Sequence, residues 1–502
     1  MLFANELSPM AAETYAFNLL GIDLRDPEQA AAASEKVFWL KSEYPSTACN
    51  KRLGENPQAV AELADFFCDL DSHPDLTALY SGALIVGSIV DLNEHLRINK
   101  LETLFNAADI DVDVLSGGPP CQSFSMAGLR ELDNERNTLP WEFAKTAEVL
   151  NPKIVLLENV PGILKAFDVG GKKHFAWFEV VKAFASINYV PLCLTVNAKY
   201  VGVAQNRPRF IMLAFRPDLF DSISKETVGM PTEHLNASAA LVRQIRLGYD
   251  PDIASIRCID IEKEPAFFST GPLRHLFTHR HAQSFVSAKE AIDDIETTSA
   301  PSEYVEKLNS CLGRSVPPNL TIENTELRKN SLKVKARFRL YQLLNSLPGD
   351  ARREIEAVIR TRDISAATSH SLKALAQAGW MLDPKGMRID RPSQTTLKNI
   401  LIALHSRKHT QKALNPDLPA PATLSIPDDA CHYDERQQRT LSVREMARIQ
   451  SFPDWFTFRS KATTGGSMRR FQVPQYTQVG NAVPPLLGKA LARTCRELIE
   501  AL

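Results

Sequence analysis

Over residues 1–217, short apolar runs of strand length alternate with longer stretches of helical period. MLFANE reads as a strand, and SPMAAETYAFNLLG as a helix capped by Ser8 with Pro9 at its first position. A polar helical stretch follows. GALIVGSIVDL supplies a second strand and turn, DVDVLSGGPP a third, KIVLLENVPG a fourth and RFIMLAF a later one. Strand and helix in alternation predict an α/β fold, a doubly wound and mostly parallel sheet with helices on both faces.

From 218 to 436 that rhythm fades into basic and polar segments such as RHLFTHRHAQ, RKNSLKVKARFRLYQ and HSRKHTQK. NPDLPAPATLSIPDD is proline-punctuated and predicted to be extended, a boundary. Regular structure resumes at RTLSVREMARIQSFP, a helix capped by Ser442, and the last element, VPPLLGKALARTCRELIEAL, is an amphipathic helix. Three regions are therefore expected: 1–217, 218–436 and 437–502.

Composition narrows the class. With 502 residues, 44% of them hydrophobic and 23% charged, the chain can bury more than one core. No apolar run is long enough to span a bilayer, and MLFANELSPM lacks the basic flank and apolar core of a signal peptide. Eight cysteines without CxxC spacing argue against a zinc ribbon or a disulfide scaffold and for a reduced, cytoplasmic protein. The net charge of −1 advertises no nucleic acid, so such a partner has to rest on local patches. His275, His279 and His281 do not have the spacing of a helix-borne metal set, and no metal is expected.

The candidate chemistry lies where a strand ends. In SGGPPCQSFSMAG the thiol of Cys121 follows two glycines and two prolines at the carboxyl end of DVDVLS, where ligand crevices form in α/β sheets. A stiff, bare turn of this kind suits a nucleophile better than a packing thiol. Three further stretches stand in order behind it: LLENVPG, VAQNRPRF and YTQVGNAVPP. With these four, the chain resembles the DNA (cytosine-5) methyltransferase family, motif for motif from about residue 3 to 490. Alone, Glu158 would be a capping carboxylate and Gln205 to Arg209 a charged surface turn; their co-occurrence in family order raises both.

The resemblance implies an S-adenosylmethionine-dependent Rossmann-like catalytic domain over 1–217, a mixed, irregular target-recognition region over 218–436, and a return to both lobes over 437–502. It implies methyl transfer to C5 of a cytosine flipped out of duplex DNA, as the modification half of a bacterial restriction system. Cys121 would be the nucleophile, Glu158 the acid at N3, and Arg209 the residue holding O2. Arg207 would support the loop or a phosphate. Ser123, Ser125 and Arg130 would contact phosphates from a lid. The cofactor would meet Glu6, Leu7, Ser88, Ile89, Pro120, Leu139, Asn481 and Val483, with Ser88 standing where the family usually has Asp. A cognate endonuclease would be a partner, and Arg328 to Arg339 offers phosphate contacts.

One family element is missing from the pattern. Members open with a strand and a Phe-x-Gly-x-Gly loop ahead of the segment matching FANELSPMAAETY; here nothing stands before Met1, and the motif occurs nowhere else. That strand would lie between the LFANE and DVDVLS strands, which are then expected either to stand apart or to collapse together. A second chain supplying the strand would restore the site. The alternatives are an inactive or incomplete remnant that retains DNA binding, and a tRNA cytosine-5 methyltransferase.

Overall fold

The computed structural model describes residues 1–33, 36–40, 68–69, 82–98, 110–120, 139–169, 172–226, 229–295, 297, 299–311, 321–406, 408, 411–422 and 430–500. Cys121, Ser123, Ser125 and Arg130 lie outside them.

The first half builds two sheets. In one, β1 (Phe3–Glu6), β2 (Val37–Trp39), β3 (Cys68–Asp69) and β4 (Ala83–Val86) run parallel in the order β1-β4-β2-β3. All four residues of β4 are buried apolar side chains, as expected for a strand paired on both edges. β2 and β3 correct the reading of this interval as a polar helical stretch. Strands of three and two residues are too short to carry a period of their own.

The second sheet holds β5 (Val114–Gly117), β6 (Ile154–Asn159), β9 (Val190–Asn197), β11 (Pro208–Phe215) and β12 (Ile259–Asp260), in the order β12-β9-β11-β6-β5. Between β6 and β9 stand a hairpin of β7 (Ala166–Val169) with β8 (Lys172–Phe175); β10 (Gln205–Asn206) pairs with Ala420–Pro421. β5 and β6 are parallel, but β11 is antiparallel to both β6 and β9. The other four strands of this sheet share one direction and the first sheet is wholly parallel, so the expectation of a mostly parallel sheet holds, with β11 as the exception. The chain from Asn197 to Pro208 is too short for a crossover helix, so β9 and β11 must pair antiparallel.

Both faces of this sheet are covered. Val155, Leu157, Phe210, Met212 and Ala214 face α4 (Leu139–Leu150) and α5 (Ala176–Ser186). Ile154, Ile211, Leu213 and Phe215 face a core shared with the last helix, Pro485–Ile499. The first sheet joins through α3 (Ile89–Ile98), where Asn93 donates to the backbone and carboxylate of Glu142, both at 2.9 Å. β1 and β5 do not pair. Each closes its own sheet with one edge that meets no strand among the described residues, although Phe3 and Leu115 pack against one small core with Phe38, Ile85, Leu92, Leu96 and Leu150.

The expected helix after β1 forms as α1 (Pro9–Tyr15), with Pro9 first and Ser8 at the cap position. The Ser8 hydroxyl, however, makes no capping bond and meets no hydrogen-bond partner among the described residues; the Glu6 carboxylate takes the Ser8 N–H instead, at 2.8 Å. Ser442 does cap its helix, Val443–Ile449, in a reciprocal pair with Glu445.

Between 218 and 436 the structure is more helical than the sequence suggests. Helices Leu332–Leu344, Gly349–Thr361, Ser369–Gln377 and Gln394–Ala403 enclose a separate core around Phe338, Leu372 and Leu397. In the first of these the basic residues divide. Arg337 donates to Leu404 and His405 carbonyls, and Arg339 is buried against Trp380 and Glu435, so neither faces outward as a phosphate contact would. Among the described residues no group of three potential metal ligands occurs, and no helix is long and apolar enough to cross a membrane.

Candidate active site

Alternation in β6 places Leu156 and Glu158 on the face beneath the last helix and Leu157 and Asn159 on the other. The antiparallel register sets Ile211 opposite Glu158, so Arg209, two residues before Ile211, is the diagonal neighbour of Glu158 on the same face. The result is an ion pair, Arg209 Nε to Glu158 Oε1 at 2.6 Å, with both side chains largely buried. Nε–H is not aligned on the carboxylate as a hydrogen bond, and Arg209 spends its Nη1 on the Pro208 carbonyl at 2.8 Å. Burial raises the Glu158 pKa above the ordinary carboxylate value, against the opposing charges of Arg209 and Arg207. The same burial lowers Arg209. An enclosed carboxyl that holds its proton to higher pH is suited to act as an acid.

The turn leading to Cys121 is fixed from β6. Asn159 donates from Nδ2 to the Pro119 carbonyl at 2.9 Å and accepts the Val160 N–H with its own oxygen. Two close approaches explain the paired glycines. A Cβ on Gly117 would come within 2.7 Å of the Phe143 ring, and one on Gly118 within 3.2 Å of Glu158 Oε2. Pro120 ends this described segment. The sequence assigns Asn159 no role beyond its place in ENV, and its adjacency to Glu158 at the strand end is the signal for this tie.

Arg207 turns away from this surface. Almost fully buried, it donates to the carbonyls of Gly480 and Ala482 at 2.6 and 3.2 Å and to Gln205 at 3.4 Å. Burial, helped by the Arg209 charge, brings its pKa down to about 9. It straddles Asn481 and thereby fixes the approach to Val483, which lines the same cavity as Glu158. Asn481 itself is exposed.

A second group forms at the end of the other sheet. Gly87 N–H donates to the Glu6 carbonyl at 2.9 Å, and Asn5 donates to the carbonyls of Ile85 and Gly87. Glu6, Leu7, Ser88 and Ile89 are thus brought together. Although Glu6 keeps partial exposure, burial of its carboxyl raises the pKa, against the N–H groups of Ser8 and Leu7. Ser88 is already engaged, its hydroxyl accepting the Val90 N–H at 3.2 Å as a cap to α3. Leu139 opens α4. The two groups stand on either side of the interval between β1 and β5.

Over residues 89–497 the sequence matches the family model of C-5 cytosine-specific DNA methylases. The chain belongs to that family. This methylase is 28% identical to the type II methyltransferase M.AgeI of Thalassovita gelatinovora over 82% of its own length and 88% of that protein's. It is 24% identical to M.DdeI of Desulfomicrobium norvegicum over 76% and 72% of the two chains. A third relative, the DNA (cytosine-5-)-methyltransferase M.ApeKI of Aeropyrum pernix, is 23% identical over 78% and 82%. The matched span of the methylase contains both Glu158 with Arg209 and the Gly480–Pro484 segment that Arg207 holds.

Proposed function

We propose that this chain transfers a methyl group to C5 of a cytosine flipped from duplex DNA, as the modification enzyme of a restriction system. The observation that carries the reading is the enclosed Glu158–Arg209 pair, set by β-register beside a Pro119–Pro120 turn that Asn159 ties down. Cys121, one residue beyond that turn, adds through its thiolate to C6 of the base. As sulfur bonds to C6, the C5=C6 π pair shifts to C4–C5 and the C4=N3 π pair to N3, which Glu158 protonates, leaving C5 nucleophilic. Once C5 carries the methyl group, loss of its proton to a base and of the N3 proton expels the Cys121 thiolate and restores the ring. Arg209 donates to O2 and balances charge as the adduct forms. Extruding the base costs a few kcal/mol, offset by contacts to the base and its backbone.

The residues at the end of β1 suit the nucleoside half of S-adenosylmethionine, because Glu6, whose Oε1 accepts the Ser8 N–H, places at the strand end a carboxylate with further lone pairs to accept from ribose hydroxyls. When bound, S-adenosylmethionine supplies an electrophilic methyl group. Leu7 and Ile89 flank the base of the nucleoside, while Pro120, Leu139, Asn481 and Val483 bound the methyl-bearing end. Ser88, occupied as a cap, contributes less than its position suggests. In this reading residues 1–217 form the catalytic lobe, 218–436 read the DNA target, and 437–502 return to both lobes. A cognate endonuclease and a strand-supplying second chain are its protein partners.

The test is a trap. Duplex DNA carrying 5-fluorocytosine, offered with S-adenosylmethionine, becomes covalently attached at Cys121 and not to Cys121→Ser. Absence of any adduct on a protein that binds the DNA overturns the reading. Labelled tRNA in place of DNA separates the two substrates.

A further inference from the structure

The helical unit over 331–406 differs in charge from the rest of the chain. It holds thirteen Lys and Arg against six Asp and Glu, a formal +7, in a molecule whose net charge is −1. Arg337 and Arg339 are spent inside it, whereas Arg353, Arg360, Arg362, Lys373 and Lys398 are exposed. Two of its helices form a fixed pair. Gly349–Thr361 ends where Arg362 takes the left-handed conformation at φ 66°, a 3-10 turn follows at Ile364–Ala366, and Ser369–Gln377 begins after its cap, Thr368. Ile364, Ala366 and Ala367 pack the turn onto the core around Phe338. Glu354, on the first helix, accepts the Thr368 N–H at 2.9 Å, the Thr368 hydroxyl at 2.8 Å and the Ser371 hydroxyl at 2.6 Å, and so sets the start of the second helix against the first. Leu372 and Leu375 face inward. Ser369, His370, Lys373 and Gln377 form an exposed stripe without a carboxylate or a large apolar group. The helix Gln394–Ala403, packed against both, exposes Ile402 beside its polar groups. Gln342 donates to the His432 and Asp434 carbonyls at 2.9 and 2.8 Å, and Asn345 to the Leu414 carbonyl at 2.9 Å, so the pair holds a fixed orientation to the segment leading into the Ser442-capped helix.

A helix held against its predecessor through a turn, polar on its outer face and set amid excess positive charge, matches what the major groove of a polyanionic duplex admits. The connection, 362–368, is longer than the about three or four residues of a minimal helix-turn-helix, and the 3-10 turn takes up the extra length. We propose that Ser369–Gln377 lies in the major groove of the target duplex, where His370 and Lys373 contact base edges and Arg362, in the turn, holds a phosphate. Lys373 donates to the O6 and N7 acceptors of a guanine, the base whose major-groove edge offers two acceptors side by side. His370, one residue before the next turn of the same stripe, reaches an adjacent base pair. The inference rests on the methyltransferase reading for the identity of the duplex, and adds to it the element and the side chains that choose the sequence.

A random-sequence duplex library offered to the full chain tests it in two arms, one sequencing the duplexes the protein retains and one mapping the cytosines methylated with S-adenosylmethionine. The expected result is a single motif in both arms, with a guanine that answers to Lys373. Lys373→Ala lowers the preference for that guanine by about 5- to 150-fold and leaves the other positions intact, and His370→Ala relaxes a neighbouring position. Arg362→Ala weakens binding to every sequence alike and reduces the salt slope by about one. Lys373→Gln replaces the first variant should it unfold. No motif among the retained duplexes, equal loss on all sequences with Lys373→Ala, or a motif unchanged by either folded variant at 373 would each overturn the proposal. So would a motif that responds instead to Asn399→Ala on the helix Gln394–Ala403, or a retained motif that the methylated cytosines do not share. Retention is read without methyl transfer. A retained motif that depends on Lys373, with no methylation of any duplex, therefore counts against the functional reading and leaves the helix assignment standing.

Discussion

At the scale of single residues the site depends on burial. The Glu158 carboxyl is raised chiefly by desolvation, so its protonated form is present below its folded pKa and is lost as pH rises through it. Methyl transfer that uses this proton should decline over that rise, and Glu158→Gln should lower the rate by about 10²–10⁴-fold and flatten that limb of the pH profile. The same sign applies to stability. A carboxyl raised on folding stabilises the native state in acid, and the contribution disappears as pH climbs past the folded value, so the Gln variant should lose less stability than the parent over that window in denaturant titrations. Arg207 predicts a different signature. Truncating it to Ala strands the Gly480 and Ala482 carbonyls, at a cost of about 1–3 kcal/mol per unsatisfied buried group, seen as a lower denaturation midpoint. Because it positions the segment carrying Val483 and does not touch the base, cofactor affinity should suffer more than turnover. That Glu158 and Arg209 belong to one site was legible in the sequence from the order of their motifs, and the two side chains do meet. The partners of Arg207 were not, since a hydrogen bond across more than 270 positions leaves no local trace.

Among elements, caps discriminate between what a motif promises and what geometry delivers. Ser8 and Ser442 look alike in sequence, each preceding a helix. Ser442→Ala should cost about 1 kcal/mol by breaking its reciprocal pair with Glu445. Ser8→Ala should change the thermal midpoint little, because the Glu6 carboxylate already serves the Ser8 N–H. Strands β4, β6 and β11 were visible as apolar runs, since burial on two faces gives a continuous signal, while β1 and β5, only partly buried, were visible from short apolar runs beside helix and turn signals. The reversed direction of β11 was not, because polarity of pairing is set by the length of the connections. The helices around Phe338 were missed for a related reason: in LKVKARFRLYQLL the arginines turn inward, and the apolar stripe is blurred by charges that the fold satisfies.

Across the whole molecule, the sheet that begins the chain is held by residues near its other end. Asn18 donates to the Thr14 and Thr457 carbonyls, both at 2.7 Å, and accepts the Thr457 N–H at 2.8 Å, while the Thr14 hydroxyl donates to Gln478 at 2.6 Å. Asn18→Ala should lower global stability by about 1–3 kcal/mol, and hydrogen exchange should quicken both in α1 and around Thr457, the joint response marking them as one cooperative unit. The reversal of chain direction at β11 has a consequence of another kind. Glu158 and Arg209 meet because two neighbouring ladder positions face each other, whatever polypeptide joins them. The stretch from Val160 to Arg207 can therefore lengthen or shrink at its turns without disturbing the spacing of acid and guanidinium, whereas a shift of one rung between β6 and β11 would carry one of them through to the opposite side of the sheet. Spacer tolerance paired with register intolerance is what comparison of natural insertions in this stretch should reveal.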